Sequence, residues 1–66
     1  MKTNILIIGS GAREHAIGWK LKQSKHAGVL YFAPGNPGTK IIGENVPIEA
    51  TDIKKLLQFA KDKKID

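Results

Sequence analysis

Two short stretches hold the residue types that could grip an anion. The first, "IIGSGAREHA", sets Gly9, Ser10, Gly11, Ala12, Arg13 and Glu14 directly after a run of aliphatic residues. The second, "APGNPGTK", sets Pro34, Gly35, Asn36, Gly38 and Thr39 after another apolar run. Glycine lets a backbone turn sharply and approach a ligand closely, and free N–H groups at a helix start favour negative charge. Arg13 is the only arginine of the chain, and its planar fork suits two phosphate oxygens at once. Ser10 and Thr39 are small hydroxyls suited to phosphate and equally common in turns. This chemistry points to a phosphate. It fits a dinucleotide less well, because the G-x-G-x-x-G fingerprint needs a third glycine where Glu14 stands. The second apolar run also ends Tyr31-Phe32-Ala33-Pro34, with no acid to accept from a ribose.

The elements around these loops must bring them together. Asn4–Ile8 reads as a strand apolar on both faces, as a central parallel strand would be. A helix is predicted from about Glu14 to Gln23, with Gly11 near its N-cap and Glu14 three residues on, as in a capping box. Ala16, Ile17 and Leu21 form its expected sheet-packing face. Val29–Ala33 is a second strand, so residues 4–33 make a strand–helix–strand unit whose strands should be parallel and whose crossover should be right-handed. Asn36 followed by Pro37 fits an N-cap and first helical position. Val46–Ile48 reads as a short third strand, at an edge because of Pro47. Thr51 or Asp52 caps a further helix with Ile53, Leu56, Leu57 and Ala60 at helical spacing, widened by Phe59. A fourth strand should begin at about Ile65, so the sequence reads as the opening of a larger sheet. In an open parallel sheet ligands bind beyond the carboxyl ends of the strands, and both glycine loops fall there.

Composition narrows the classes. Sixty-six residues are fewer than the roughly 100–150 of a typical domain. The absence of cysteine rules out disulfides and thiolate metal sites and suits a reducing compartment. No apolar run approaches the ~18 residues of a membrane span, and no signal-peptide core is evident. The net charge is +5, from eleven basic and six acidic side chains, which could suit a nucleic-acid partner. However, Lys54, Lys55, Lys61, Lys63 and Lys64 gather on one predicted helix, where lysines are ordinarily a solvated face, and no aromatic residues interleave with them to stack bases.

The individual polar residues keep two readings each. Glu14 either caps its helix or bonds a sugar hydroxyl or amine. Asn36 either caps alone or also meets ligand. His15 reads as structural rather than catalytic, for want of a titratable partner. Trp19 reads as packing, against the sheet or another domain.

Taken together, "IIGSGAREHAIGWKL", "VLYFAPGNPGT" and "ENVPIEATDIKKLLQFAKDKKID" resemble the N-terminus of the phosphoribosylamine–glycine ligase (glycinamide ribonucleotide synthetase) family over essentially the whole chain. G-S-G-x-R-E-H-A and A-P-G-N-x-G-T at this separation are its selective parts. Departures are small: Ala12 stands where members often have glycine, Gly18 where alanine is common, and Pro37 where alanine is frequent. The resemblance implies a Rossmann-like, α/β parallel-sheet domain (β-α-β-β-α), truncated ahead of the ATP-grasp and C-terminal domains of an ATP-grasp ligase. It implies a cytoplasmic enzyme of de novo purine synthesis that joins 5-phosphoribosylamine to glycine. ATP and Mg2+ (or Mn2+) activate the glycine carboxylate as an acyl phosphate, at a site outside this segment. The implied partners are these small molecules and the rest of the same chain, with no nucleic acid and no membrane. Carried over by position, Gly9, Ser10, Gly11, Arg13 and Glu14, with Gly35, Asn36, Gly38 and Thr39, bind the phosphoribosylamine, and no residue is catalytic. Two other readings stay open on the residues alone: an NAD- or FAD-binding module of an oxidoreductase, and a basic module for RNA or another polyanion.

Overall fold

The computed structural model describes residues 2–66. Six elements follow one another: β1 (Thr3–Gly9), α1 (Ala12–Lys22), β2 (Ala27–Pro34), α2 (Thr39–Ile42), β3 (Glu44–Asn45) and α3 (Ile53–Asp62). The strands form one sheet in the order β1-β2-β3, parallel throughout. This is the α/β, Rossmann-like class expected from the alternation of apolar runs and helices.

Alternation along the strands divides the core between two faces. Ile7, Leu30 and Phe32 pack on one face, joined by Ile5, Leu21 of α1 and Ile42 of α2. Tyr31, Ala33, Val46 and Leu56 pack on the other, joined by Leu6, Ile48, Phe59 and Ile65. β2 therefore contributes buried side chains to both faces, and Phe32 and Ala33 are fully buried. On the α3 face Tyr31 and Phe59 meet edge to face, with ring centroids 5.0 Å apart. Such a pair adds to what area burial supplies.

Helix α1 does not present the face its apolar residues suggest. Ile17 is 46% exposed and Ala16 is exposed, whereas Gly18 is buried and Leu21 half-buried. A Cβ at residue 18 would run into the Phe32 ring. The helix crosses β2 so closely that the contact residue can carry no side chain, which turns Ile17 outward. Trp19, 58% exposed, does not pack on the sheet either.

The third strand also departs from its expected place. The ladder pairs Tyr31 with Glu44 and Phe32 with Asn45, two residues ahead of the apolar run Val46–Ile48. Val46 still donates its N–H to the Phe32 carbonyl at 2.8 Å. The ladder stops there, because Pro34 of β2 has no N–H to offer the Val46 carbonyl, which accepts from the Ile48 N–H at 2.7 Å instead. Helix α3 starts at Asp52, whose carboxylate accepts from the Lys55 N–H at 3.3 Å. It ends at Asp62, so Lys63 and Lys64 lie just past it, and all five lysines of this region are exposed. Where a fourth strand was expected, Ile65 packs under the sheet. The next residue runs beside the outer edge of β1, where the Asp66 N–H donates to the Asn4 carbonyl at 3.0 Å.

Candidate functional site

The first loop joins β1 to α1. Gly9 closes β1 with φ of +136°, in the region that favours glycine. Glu14 folds back over the turn and accepts a hydrogen bond from the Gly11 N–H at 3.0 Å. This is the carboxylate half of a capping box; the other half needs a side-chain acceptor that Gly11 lacks. A Cβ at Gly9 would collide with this carboxylate, so the glycine makes room for the cap. Ser10 and Arg13 are exposed. Among the described residues Arg13 has neither an ion-pair nor a side-chain hydrogen-bond partner, and its guanidinium is free to meet an anion. The only ion pair there joins Lys55 to Asp52, at 3.7 Å on α3.

The second loop, between β2 and α2, is more tightly knit. Pro34 follows a cis peptide bond, and Gly35 has φ of +76°. Asn36 opens a helical turn as its cap: its Oδ1 accepts from the Thr39 N–H at 3.0 Å, and the Lys40 N–H donates to its carbonyl at 3.2 Å. In return the Asn36 N–H donates to Thr39 Oγ1 at 2.8 Å. Thr39 is fully buried, and a buried hydroxyl must be hydrogen-bonded to offset its lost hydration. Its neighbour is Asn45, whose Oδ1 lies 2.6 Å from Thr39 Oγ1 and whose Nδ2 donates to the Asn36 carbonyl at 2.8 Å. Asn45 is the residue that sequence reasoning missed. A polar residue ahead of an apolar run carries no signal of its own, and only the pairing of β3 with β2 brings it under the loop.

The two loops stand side by side at the carboxyl-end rim of the sheet. Gly9 pairs with Pro34 in the strand register, and the Gly35 N–H donates to the Gly9 carbonyl at 3.1 Å. Asn36 Nδ2 donates to the Ser10 carbonyl at 2.7 Å and lies 3.5 Å from the Gly11 carbonyl. The half-buried His15 of α1 lies over Gly38, where an added Cβ would come within 3.2 Å of its ring. Every candidate residue therefore lies in one contiguous patch: Gly9, Ser10, Gly11, Arg13 and Glu14 from one side, Gly35, Asn36, Gly38 and Thr39 from the other. Within it Thr39 is buried and Glu14 is occupied by Gly11, leaving Ser10 and Arg13 as the outward polar side chains of the first loop. A cavity of about 200 Å³ lined by Thr3, Ile5, Leu21, Ser24, His26 and Ala27 lies at the other end of the strands. Open α/β sheets do not ordinarily bind ligands at that end.

This pairing of loops on a parallel sheet agrees with what comparison with known proteins finds. The family described as phosphoribosylglycinamide synthetase, N domain, matches residues 3–66. The chain belongs to that family. It is 60% identical over 60 residues to a phosphoribosylamine–glycine ligase of Yersinia pestis, a match covering 88% of this chain and 14% of the relative. The ligase of Haemophilus influenzae is 56% identical over 64 residues, covering 94% of this chain and 15% of the relative. That of Rhodopirellula baltica is 47% identical over 64 residues, covering 97% and 15%. The matched region of this phosphoribosylglycinamide synthetase N-domain chain thus spans about one seventh of the length of these relatives. Among the described residues no helix is long and apolar enough to cross a membrane.

Proposed function

We propose that this chain forms the N-terminal part of a cytoplasmic phosphoribosylamine–glycine ligase of de novo purine synthesis, and that its two-loop rim holds the 5-phosphoribosylamine. The observation that carries the reading is the joining of both glycine loops at one rim, through the Gly35–Gly9 and Asn36–Ser10 hydrogen bonds. Beside them stands an arginine with no partner among the described residues.

The donor set of the rim is that of an anion and sugar site. Backbone amides, a hydroxyl and a guanidinium favour phosphate oxygens. The one carboxylate, Glu14, is turned onto Gly11, which removes a repulsive charge from the path of a phosphate. Arg13 gives the phosphate a two-pronged hold, while Asn36 and Thr39 keep the second loop in place against it. No cluster of His, Asp or Glu among the described residues could hold a metal ion, and we assign ATP and its Mg2+ or Mn2+ to the grasp domains of the complete ligase, as the family resemblance implies. The contribution of this segment is positional. It holds the amine in line for attack on the acyl carbonyl, so that a carbon–nitrogen bond forms as phosphate leaves and the amine's proton is released, and such orientation lowers a barrier without a proton-transferring residue in this segment. The exposed Trp19, Ile53 and Leu57 suit contact with the remainder of the ligase.

The test is Arg13→Ala in the full-length ligase. The KM for phosphoribosylamine should rise about tenfold to a hundredfold, as loss of a charge-assisted bond would bring, while those for ATP and glycine stay within about twofold. An unchanged dependence on phosphoribosylamine would refute the role. Neither the oxidoreductase nor the polyanion reading is favoured by the family match.

A further inference from the structure

Among the described residues Asn45 makes no hydrogen bond to the first loop, yet the bonds that join the two loops lead back to it. Thr39 Oγ1 has a single proton and two acceptors in reach, the Asn36 carbonyl at 2.9 Å and Asn45 Oδ1 at 2.6 Å. The Asn36 carbonyl already accepts from Asn45 Nδ2 and from the Lys40 N–H, which fills both its lone pairs, so the Thr39 proton goes to Asn45. The amide orientation follows as well. Reversed, Asn45 would set its oxygen against the Asn36 carbonyl, two acceptors facing one another. Gly35 belongs to the same cluster, since a Cβ there would strike Asn45 Oδ1 and Thr39 Oγ1. Asn45 itself is held by the sheet, paired with Phe32.

Resting on the rim reading above, we infer that Asn45 is a positioning residue for the ribose-phosphate substrate. Asn45 fixes Thr39 and the Asn36 backbone from below. Asn36, so fixed, sends Nδ2 across to Ser10 and sets the spacing between the loops. Removing the amide takes the Asn45 donor from the Asn36 carbonyl and lets the Thr39 hydroxyl turn to that carbonyl, so Asn36 is no longer tied to the sheet and is free to leave Ser10. The loops then separate, and the site loses its fit to the ribose phosphate while regions that bind ATP and glycine are untouched.

The experiment uses the full-length ligase with glycinamide ribonucleotide as probe, because this product carries the same ribose 5-phosphate and can be titrated calorimetrically without turnover. Asn45→Ala should weaken its affinity about tenfold, the scale of one lost buried hydrogen bond, with KM for ATP and glycine within about twofold. Asn45→Asp supplies a readout that general loosening would not move. Its carboxylate accepts from Thr39 but repels the Asn36 carbonyl, whereas the protonated acid donates there as the amide does. Its affinity relative to wild type should therefore climb as pH is lowered from 8 to 5. Wild-type affinity in a folded Asn45→Ala enzyme overturns the inference, as does an equal loss for all three substrates. Should Asn45→Ala not fold, a pH-independent ratio for Asn45→Asp overturns it. Arg13→Ala separates the levels: weakened ribonucleotide binding there with none in Asn45→Ala removes the positioning role alone, and no effect in Arg13→Ala removes the rim reading and this inference together.

Discussion

At the scale of single residues, the rim is built on two glycines in unusual backbone conformations. Gly9 and Gly35 both have positive φ, and each has a polar side chain where its own Cβ would go: Glu14 over Gly9, and Asn45 with Thr39 over Gly35. Gly35→Ala should accordingly destabilise the chain by about 1–3 kcal/mol, seen as a lowered urea midpoint. A residue that merely occupied a permissive turn would change it by a few tenths. Glu14 illustrates the limit of reading a residue by type. Its carboxylate was equally able to meet a sugar or cap a helix, and in the folded chain it bonds the Gly11 N–H. Glu14→Gln retains an acceptor for that bond and should leave the thermal midpoint nearly unchanged, while Glu14→Ala should lower stability by about 0.5–2 kcal/mol.

At the scale of elements, the structure departs from the sequence reading in the face that α1 buries and in where β3 pairs, each for a packing reason. Apolar periodicity weighs side chains by their size, and so points to Ile17. The close crossing of α1 over Phe32 requires the reverse, a residue with no side chain at the contact, and Gly18 supplies it. Gly18→Val should therefore overpack the interface and cost about 1–3 kcal/mol despite valine being apolar, a loss measurable by chemical denaturation. In β3, propensity favours Val46 and Ile48, but the ladder is set where Asn45 can reach the second loop. Helix α3 was the more legible, because its Asp52 cap and the inward Leu56, Phe59 and Ala60 follow from local chemistry. Only Ile53 and Leu57, at 70% and 56% exposure, exceed what the sheet can cover.

At the scale of the whole molecule, a thin, two-faced core makes each buried ring important. Phe32 is completely buried beneath Gly18, and Phe32→Ala should cost about 3–5 kcal/mol. That approaches the whole stability of a domain this small, so a melt followed by circular dichroism should show the variant largely unfolded. The accessible surface of 4729 Å² exceeds the about 4,100 Å² expected of a compact monomer of this mass. The excess goes with uncovered Trp19, Ile41, Ile53 and Leu57. The lysines are dispersed and exposed, so titration with a short RNA at physiological salt should give no saturable binding, and NADH should give none either.

The chain alone determined the strand–helix alternation, the parallel sheet, the capping of α1 and α3, and the placing of both glycine loops at the carboxyl ends of the strands. These depend on periods of two and 3.6, on caps and on glycine, all of which act within a few neighbours along the chain. Tertiary structure decided which face of α1 is buried, where β3 pairs, and that Asn45 underlies the second loop. Those depend on how closely a helix can approach a sheet and on which distant polar groups must be satisfied once buried, and neither is written in local spacing.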